Sequence, residues 1–171
     1  MATIQTSSDW ESRRTVQKGN LGEDIVKKFL EGKGLVVYKP VTDKAHSFDM
    51  LAICDKRAVM IAEVKSKTLM NFSKCTGFNY STFLDYCYIS NKHKIPVFVF
   101  FVDEKLAEIY GNWLHELEKP AEHEGRRFPY NMTTRWGQEL RLYHYNSMRH
   151  IADIAKEEAE LLKNLTYSSY G

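Results

Sequence analysis

An unbroken apolar run, IPVFVFFV at residues 95–102, constrains the fold of this chain more than any other feature. Valine and phenylalanine favour strands, and a strand that is apolar on both faces must be covered on both faces. Helices packed on the two sides of a sheet provide such a cover. The run therefore predicts an α/β protein whose central sheet lies between helical layers.

Helices and strands are predicted on either side of this run. A helix is predicted over residues 20–34, and strands at 34–40, 48–54 and 58–65, with the last two forming a hairpin. A second helix is predicted over residues 79–91, because apolar and aromatic side chains recur there at helical spacing. Its inward face is assigned to Tyr80, Phe83, Leu84, Cys87 and Tyr88, and Tyr86 falls outside this face.

The remaining residues, 103–171, are predicted to extend the same domain. They are read as a strand at 105–111, a loop at 119–135, an edge strand at 139–145 and an amphipathic helix at 147–165. No repeat or linker divides the sequence, and 171 residues are the size of one ordinary domain. The prediction is a mixed sheet flanked by helices in one domain, 1–171, with a core at about 20–102.

Composition argues against several classes of protein. The chain carries 24 basic and 22 acidic side chains, so any nucleic-acid site must be a local patch. Its three cysteines are an odd number and lack the CxxC spacing of a structural zinc site. The sequence has neither a signal-peptide pattern nor an uncharged run of about 18 residues, so a soluble, cytoplasmic protein without a membrane partner is expected.

The most informative polar residues lie in the predicted hairpin. Period two places Glu63 and Lys65 on one face of their strand, and a three-residue connection that pairs Cys54 with Ala58 sets Asp49 opposite Glu63. Carboxylates on directly opposed residues, with Cβ atoms about 5 Å apart, repel each other. They suit a divalent cation, because Mg²⁺ prefers oxygen ligands. This register predicts a metal site at Asp49 and Glu63, with the Lys65 ammonium beside it.

A third acid is available from the first helix. Glu23 lies on the edge of the apolar stripe and can point toward the sheet, while Gly22 would let the helix approach another backbone closely. An acid in the first turn of a helix is also explained by the helix dipole. Both interpretations of Glu23 stay open on the sequence.

These residues together resemble the motifs of a known nuclease family. Gly22-Glu23, Asp49 in SFDML and Glu63-Val64-Lys65 resemble the PD-(D/E)XK nuclease superfamily, whose restriction-endonuclease-like fold also occurs in Holliday-junction resolvases. The resemblance covers about residues 20–102 and implies an αβββαβ core. It also implies a magnesium-dependent DNA endonuclease, with Mn²⁺ as a substitute. The small size and the lack of a recognisable helix-turn-helix or zinc module suggest little sequence specificity or selection of DNA by its structure.

By motif position, the resemblance gives each residue a role. Asp49 and Glu63 would bind the metal, Glu23 would support the metal shell, and the Val64 carbonyl would be a further ligand. Lys65 would position or activate the hydrolytic water. Phe48 replaces the proline that names the motif, a variation that leaves this chemistry intact. A phage or bacterial origin would suit such a protein.

Substrate contacts and assembly are less constrained. Lysines that flank the site are candidate phosphate contacts or ordinary surface residues: Lys39, Lys44, Lys67 and Lys74. A nucleic-acid clamp and a solvated loop are both open for Arg126, Arg127, Arg135 and Trp136. Two alternatives stay open: a non-catalytic nucleic-acid or protein-binding module on the same fold, and an RNA-directed nuclease. A homodimer is a further candidate, with the aromatic strand 139–145 as its interface.

Overall fold

The computed structural model describes residues 13–40, 48–55, 57–70 and 73–167. The helices in these ranges are α1 (Arg14–Gly32), α2 (Tyr80–His93), α3 (Leu114–Leu117) and α4 (Lys156–Tyr167). The strands are β1 (Val36–Tyr38), β2 (Met50–Cys54), β3 (Arg57–Lys65), β4 (Cys75–Asn79), β5 (Val97–Asp103), β6 (Glu108–Trp113), β7 (Ala121–His123), β8 (Arg126–Phe128), β9 (Tyr130–Thr133), β10 (Glu139–His144) and β11 (Arg149–Asp153).

A six-stranded mixed sheet with the order β1-β2-β3-β5-β6-β11 forms the centre of the molecule. Strands β3 and β5 run parallel, and the other neighbouring pairs are antiparallel. Every residue of β5 is buried, as the apolar run predicts. Its side chains alternate between two clusters, with Phe98 and Phe100 on one face and Val99 and Phe101 on the other.

Different elements cover the two faces of this sheet. Ile25, Val26 and Leu30 of α1 pack on one face together with Ala159 and Leu162 of α4. The opposite face is covered by α2, by α3 and by strands of a second sheet. The predicted mixed α/β architecture is therefore confirmed, with helices on both faces of the central sheet. None of these helices has the length and apolar character needed to cross a membrane.

A second, three-stranded sheet with the order β4-β10-β9 was not predicted in this form. Strand β4 falls between the predicted hairpin and the second helix, where no strand was expected. The prediction of an edge strand at 139–145 is wrong, because β10 pairs on both sides. Leu142, Tyr143 and His144 are buried in it, so this strand does not present the aromatic edge that was considered for a homodimer.

Two further predictions about the C-terminal part are wrong. The predicted loop 119–135 contains the β7–β8 hairpin and β9. Glu124 and Gly125 both have positive φ at the hairpin turn, a geometry that a Glu-Gly pair signals only weakly in sequence. The predicted helix 147–165 is divided, since its first part forms β11 on the edge of the central sheet and α4 begins at Lys156. Pairing with β6 outweighs the local helical periodicity there.

Candidate active site

The carboxyl end of β3 brings charged side chains to the centre of the sheet. β3 lies between β2 and β5, and Glu63 and Lys65 are in register with Val99 and Phe101 of β5. Both of these partners are buried apolar residues. Charged groups at this position must therefore be satisfied by one another or by a ligand at the strand end.

The β2–β3 connection differs from the prediction. Cys54 pairs with Arg57, so the expected Cys54–Ala58 pair is wrong and the connection has two residues instead of three. Taken alone, this shorter turn would move every pair of the hairpin by one position and place Asp49 on the opposite face from Glu63.

A β-bulge restores the predicted register on the side of the site. Ala52 pairs with Met60, whereas the next residue of β2, Ile53, pairs with Ala58. Val59 lies between these two pairs and is therefore the extra residue of the bulge. Beyond the bulge Met50 pairs with Ala62, and the ladder continues toward Asp49 and Glu63. The side chains of these two acids thereby reach the same strand end.

Asp49 lies just before β2 and is held by the backbone of β3. Its Oδ2 accepts a hydrogen bond from the Val64 amide at 2.7 Å. Burial, followed by the nearby charge of Glu63, raises the pKa of Asp49 to about 7, although Lys65 and the Val64 amide act in the opposite direction. Part of the Asp49 population is therefore protonated at neutral pH, as expected where two carboxylates share a site.

Glu63 is the most buried acid of the group, at 2% exposure. Its Oε1 forms an ion pair with the Lys65 ammonium. Its Oε2 is buried and accepts no hydrogen bond from the described residues. A buried carboxylate oxygen without a partner costs free energy, so this atom is suited to a cation or to the proton that Asp49 carries at neutral pH.

Three groups surround the Lys65 ammonium. Besides Glu63, its Nζ lies 3.4 Å from the Tyr86 hydroxyl and 5.7 Å from the centre of the Phe78 ring. The ammonium is thus fixed between a carboxylate, a phenol and an aromatic face, and it retains partial contact with solvent. Such restraint holds the charge at one place beside the two acids.

Tyr86 is a site residue that sequence reasoning missed. It is 3% exposed, whereas Leu84 and Tyr88, assigned to the inward face of this helix, are 50% and 63% exposed. Burial and the charge of Glu63 raise the pKa of Tyr86, so its hydroxyl keeps its proton. Apolar and aromatic side chains occur on more than one side of α2, so periodicity alone does not decide which side faces the sheet. The spacing of Phe83, Tyr86 and Cys87 is the signal for the correct face.

The structure places Glu23 close to the strand end but pairs it with another residue. Its Oε2 forms an ion pair with Lys39 at 2.9 Å, and the same ammonium contacts Asp24 at 3.1 Å. Glu23 is therefore held by the Lys39 ammonium in this structure. Lys39, a predicted phosphate contact, bridges two acids instead.

Gly22 explains how α1 reaches the site. A Cβ atom at this position would lie 1.9 Å from the Ser66 hydroxyl oxygen, so a side chain cannot be added without displacement. Ser66 directly follows Lys65, so the helix touches β3 where the candidate site is. The close approach expected from Gly22-Glu23 is present, and it places Glu23 one residue from this contact.

Of the other predicted phosphate contacts, Lys67 lies near Lys65 and Lys74 does not. Lys67 donates to the Gly77 carbonyl at 3.3 Å, and burial together with the charges of Lys65 and Lys18 lowers its pKa. Lys74 lies 3.8 Å from Glu124, on a different part of the surface. Lys44 lies outside the described residues.

The arrangement fits a hard cation with few protein ligands. Asp49 and Glu63 supply carboxylates, and the unpartnered Glu63 Oε2 supplies a free acceptor. In the described part of the chain, no three histidine, cysteine or acidic side chains converge as a metal site. Mg²⁺ is commonly bound by one or two carboxylates while water and substrate phosphate complete its shell, so two acids are sufficient.

No protein-family model matches this sequence, and no curated protein matches it. Among solved structures, the chain is similar to Hjc, a Holliday junction resolvase from the archaeal hyperthermophile Archaeoglobus fulgidus. That match has a TM-score of 0.53 and 12% identity, and it covers 84% of this chain and 96% of that chain. A nuclease from a fusselovirus matches with a TM-score of 0.49 and 8% identity, over 90% of this chain and 93% of that chain.

Identity this low identifies a shared fold and assigns no residue roles. The match covers almost the whole length of the resolvase, so the likeness is to its entire fold and not to one motif. The order α1, β1, β2, β3, α2, β5 agrees with the αβββαβ core, with β4 inserted before α2. The chain therefore has the fold of this resolvase, a restriction-endonuclease-like fold with a mixed sheet between helical layers.

Proposed function

We propose that this protein is a magnesium-dependent endonuclease that hydrolyses phosphodiester bonds of intracellular DNA. The observation that carries the proposal is the convergence of Asp49, Glu63 and Lys65 at one strand end, with a buried oxygen of Glu63 left without a partner. A purely structural role does not explain two acids on adjacent strands, because neighbouring like charges destabilise a fold.

Asp49 and Glu63 would hold the cation, and the Val64 carbonyl would add a further oxygen ligand. Bound there, Mg²⁺ would lower the pKa of a water molecule and neutralise charge on the phosphate. The Asp49 pKa of about 7 means that a cation competes with a proton for this site. Metal binding should therefore strengthen as the pH rises through neutrality.

Lys65 would act on the nucleophile or on the developing phosphate charge. Its ammonium is fixed by Glu63 and by the Tyr86 hydroxyl, and a fixed charge stabilises a transition state without reorganisation. Tyr86 would position Lys65 through this hydrogen bond. Glu23 would support the site from α1, since it lies one residue from the contact with Ser66.

DNA is proposed as the substrate because a protein of this fold is a Holliday junction resolvase. The described residues contain no helix-turn-helix or zinc module that would read bases, so recognition of DNA structure with little sequence specificity is proposed. A homodimer is compatible with this proposal and needs an interface other than β10.

A cleavage assay tests the proposal. Purified protein is incubated with plasmid, single-stranded DNA, a branched junction and RNA in Mg²⁺ or Mn²⁺, and compared with Glu63→Gln and Asp49→Asn. Asp153→Asn is the matched control, because this acid is exposed on β11. We expect cleavage of DNA by the wild type and the control and loss of cleavage in both site variants.

Three results would contradict the proposal. Cleavage of RNA but not DNA would change the substrate class. Binding of DNA without cleavage under every metal condition would favour a non-catalytic module. Equal activity in Glu63→Gln and the wild type would remove this site from the reaction.

A further inference from the structure

The tip of the β9–β10 hairpin presents an unusually exposed aromatic side chain. Trp136 is 80% exposed. The turn beneath it is ordered, since the Thr134 amide donates to the Gln138 carbonyl at 2.8 Å and the Gly137 amide donates to the Thr134 carbonyl at 2.9 Å. Gly137 adopts a positive φ of 78°, which closes the turn. The indole is thus displayed on a structured support.

Arg135 supplies a positive charge at the same tip. Its guanidinium lies 4.5 Å from the centre of the Trp136 ring, a cation–π contact. A guanidinium over one face of an indole leaves the opposite face for a second planar group. Nucleobases stack on aromatic side chains in this way, and the nearby positive charge favours a polyanion.

A cleft of about 270 Å³ lies between this hairpin and the start of α2. It is lined by Asn79, Tyr80, Ser81, Leu84, Gln138 and Glu139. The lining combines side-chain amides, hydroxyls, one carboxylate and one apolar side chain, and it contains no basic residue. Such groups match the donor and acceptor edges of a nucleobase better than they match a phosphate.

The cleft is close to the proposed active site. Asn79 follows Phe78 directly, and the Phe78 ring lies 5.7 Å from the Lys65 ammonium. With consecutive Cα atoms 3.8 Å apart, Asn79 at the edge of the cleft lies within roughly 15 Å of the Lys65 ammonium. That distance corresponds to a few nucleotides of single-stranded DNA, so one strand could reach both places.

A protein partner is a poorer match for this surface. The hairpin face around Trp136 is polar, since Asn131 contacts both Glu139 and Arg141 through its side-chain amide. A single exposed indole among polar side chains lacks the apolar core of a stable protein interface. A flat, isolated aromatic group with a cation beside it suits one stacked base.

We propose that the Trp136 tip and the adjoining cleft bind unpaired nucleobases of the DNA substrate, a few nucleotides from the cleaved phosphate. The proposal rests on the function proposed above, and it adds a substrate class: DNA that contains unpaired bases beside a duplex. Trp136 stacks on one base, and the amides of Asn79 and Gln138 hydrogen-bond to the edge of another.

Binding measurements with matched oligonucleotides test this assignment. A short duplex is compared with the same duplex carrying three unpaired thymines, in Ca²⁺ to prevent cleavage. We expect Trp136→Ala to weaken binding of the bulged duplex about tenfold, equivalent to ~1.4 kcal/mol, and to leave the paired duplex within about twofold. Trp136→Tyr should restore much of the affinity, because a phenol ring also stacks.

Tyr88→Ala is the matched control. Tyr88 is also an exposed aromatic residue with a lysine over its ring, but it does not line the cleft. Its variant should bind both duplexes like the wild type. Cleavage rates in Mg²⁺ provide a second readout, and the bulged duplex should be preferred by the wild type and not by Trp136→Ala.

The outcomes separate this inference from the proposed function. If the wild type cleaves DNA and Trp136→Ala keeps the full preference for the bulged duplex, the inference is wrong and the nuclease function stands. If the wild type neither binds nor cleaves any DNA, both are wrong. If Trp136→Ala changes the sedimentation of the free protein and not its DNA binding, the tip contacts a second copy of the chain instead.

Discussion

Two regions of the molecule each hold a pair of like titratable side chains, and they tolerate these pairs in different ways. In the central sheet, Asp49 and Glu63 are acids whose mutual repulsion is relieved by the Lys65 ammonium and by protonation of Asp49. Beside the second sheet, His123 and His144 stack with ring centres 4.5 Å apart. Imidazoles can stack as neutral rings, whereas two carboxylates at neutral pH require a proton or a cation.

This difference points to a ligand at one pair and to packing at the other. Burial and the nearby His123 lower the pKa of His144, so the folded state keeps that ring neutral. The opposite shift occurs at Asp49, whose pKa is raised. A like pair that has an uncharged form at neutral pH is compatible with a purely structural role, whereas an acid pair that retains negative charge attracts a cation.

The largest expected effect concerns chemistry at the acid pair. Lys65→Ala should reduce the cleavage rate by ~10² to 10³, about 3 to 4 kcal/mol in the barrier, because it removes a fixed charge beside the reacting phosphate. DNA binding in Ca²⁺ should lose little, and its salt dependence should change by about one phosphate contact. Cleavage in Mg²⁺ and binding at several salt concentrations measure the two effects. Wild-type cleavage by the variant would exclude Lys65 from the reaction.

A comparable effect on stability is expected at the second sheet. Gly77→Ala would place a Cβ atom 1.9 Å from the Arg141 carbonyl oxygen across the β4–β10 ladder. We expect a loss of about 3 kcal/mol in the free energy of unfolding, measured by urea denaturation. Gly19→Ala is the matched control, since an added Cβ meets nothing within 4 Å in α1. This control should be neutral or slightly stabilising. Equal stability of the two variants would contradict the close approach of β4 and β10.

Metal binding should stabilise the acid pair. At a hundredfold excess over its dissociation constant, Mg²⁺ should increase the free energy of unfolding by about 2.7 kcal/mol. Asp49→Asn should abolish most of this gain in thermal melts. Without metal, the raised Asp49 pKa should make the wild type less stable as the pH rises from about 4 to about 7, because the folded state holds the proton more tightly than the unfolded state. An apo protein that gains stability over this range relative to Asp49→Asn would contradict the acid pair.

The smallest expected effect is at the histidine pair, with the opposite sign of pH dependence. Because the His144 pKa is lowered in the folded state, the unfolded state binds the proton first as the pH falls below about 6.5. The wild type should lose stability between pH 7 and pH 5 relative to His144→Phe. His150→Phe is the control, because His150 is exposed and contacts Asp153. Parallel pH profiles for the wild type and His144→Phe would show that this pair is not kept neutral by folding.

The central sheet was largely predictable because its signals are local. The apolar run of β5 and the alternation of β3 each specify burial within a few residues, and the αβββαβ order follows from them. The position of Asp49 opposite Glu63 was also reached, although through an incorrect turn. Local patterns are sufficient where one strand's own residues determine which face is buried.

The second sheet could not be predicted in the same way. β4 contains Gly77 and pairs with β10, whose residues lie more than fifty positions later in the chain. Its strand character comes from that partner and not from its own pattern. Tyr86 was missed for a related reason, since it is buried by packing against Phe78 of β4, a strand that was not predicted. Contacts between distant segments decide these cases.

The bulge at Val59 has a consequence for how this hairpin can vary. The two-residue connection and the bulge each shift the β2–β3 pairing by one position, and together they keep Asp49 and Glu63 on the same side. Deleting Val59 alone, or lengthening the connection by one residue alone, would turn Asp49 away from Glu63. Insertions and deletions in this hairpin should therefore be tolerated in compensating pairs. The turn can then change in length while the same residues of each strand face the same side of the sheet, and the acid pair stays together.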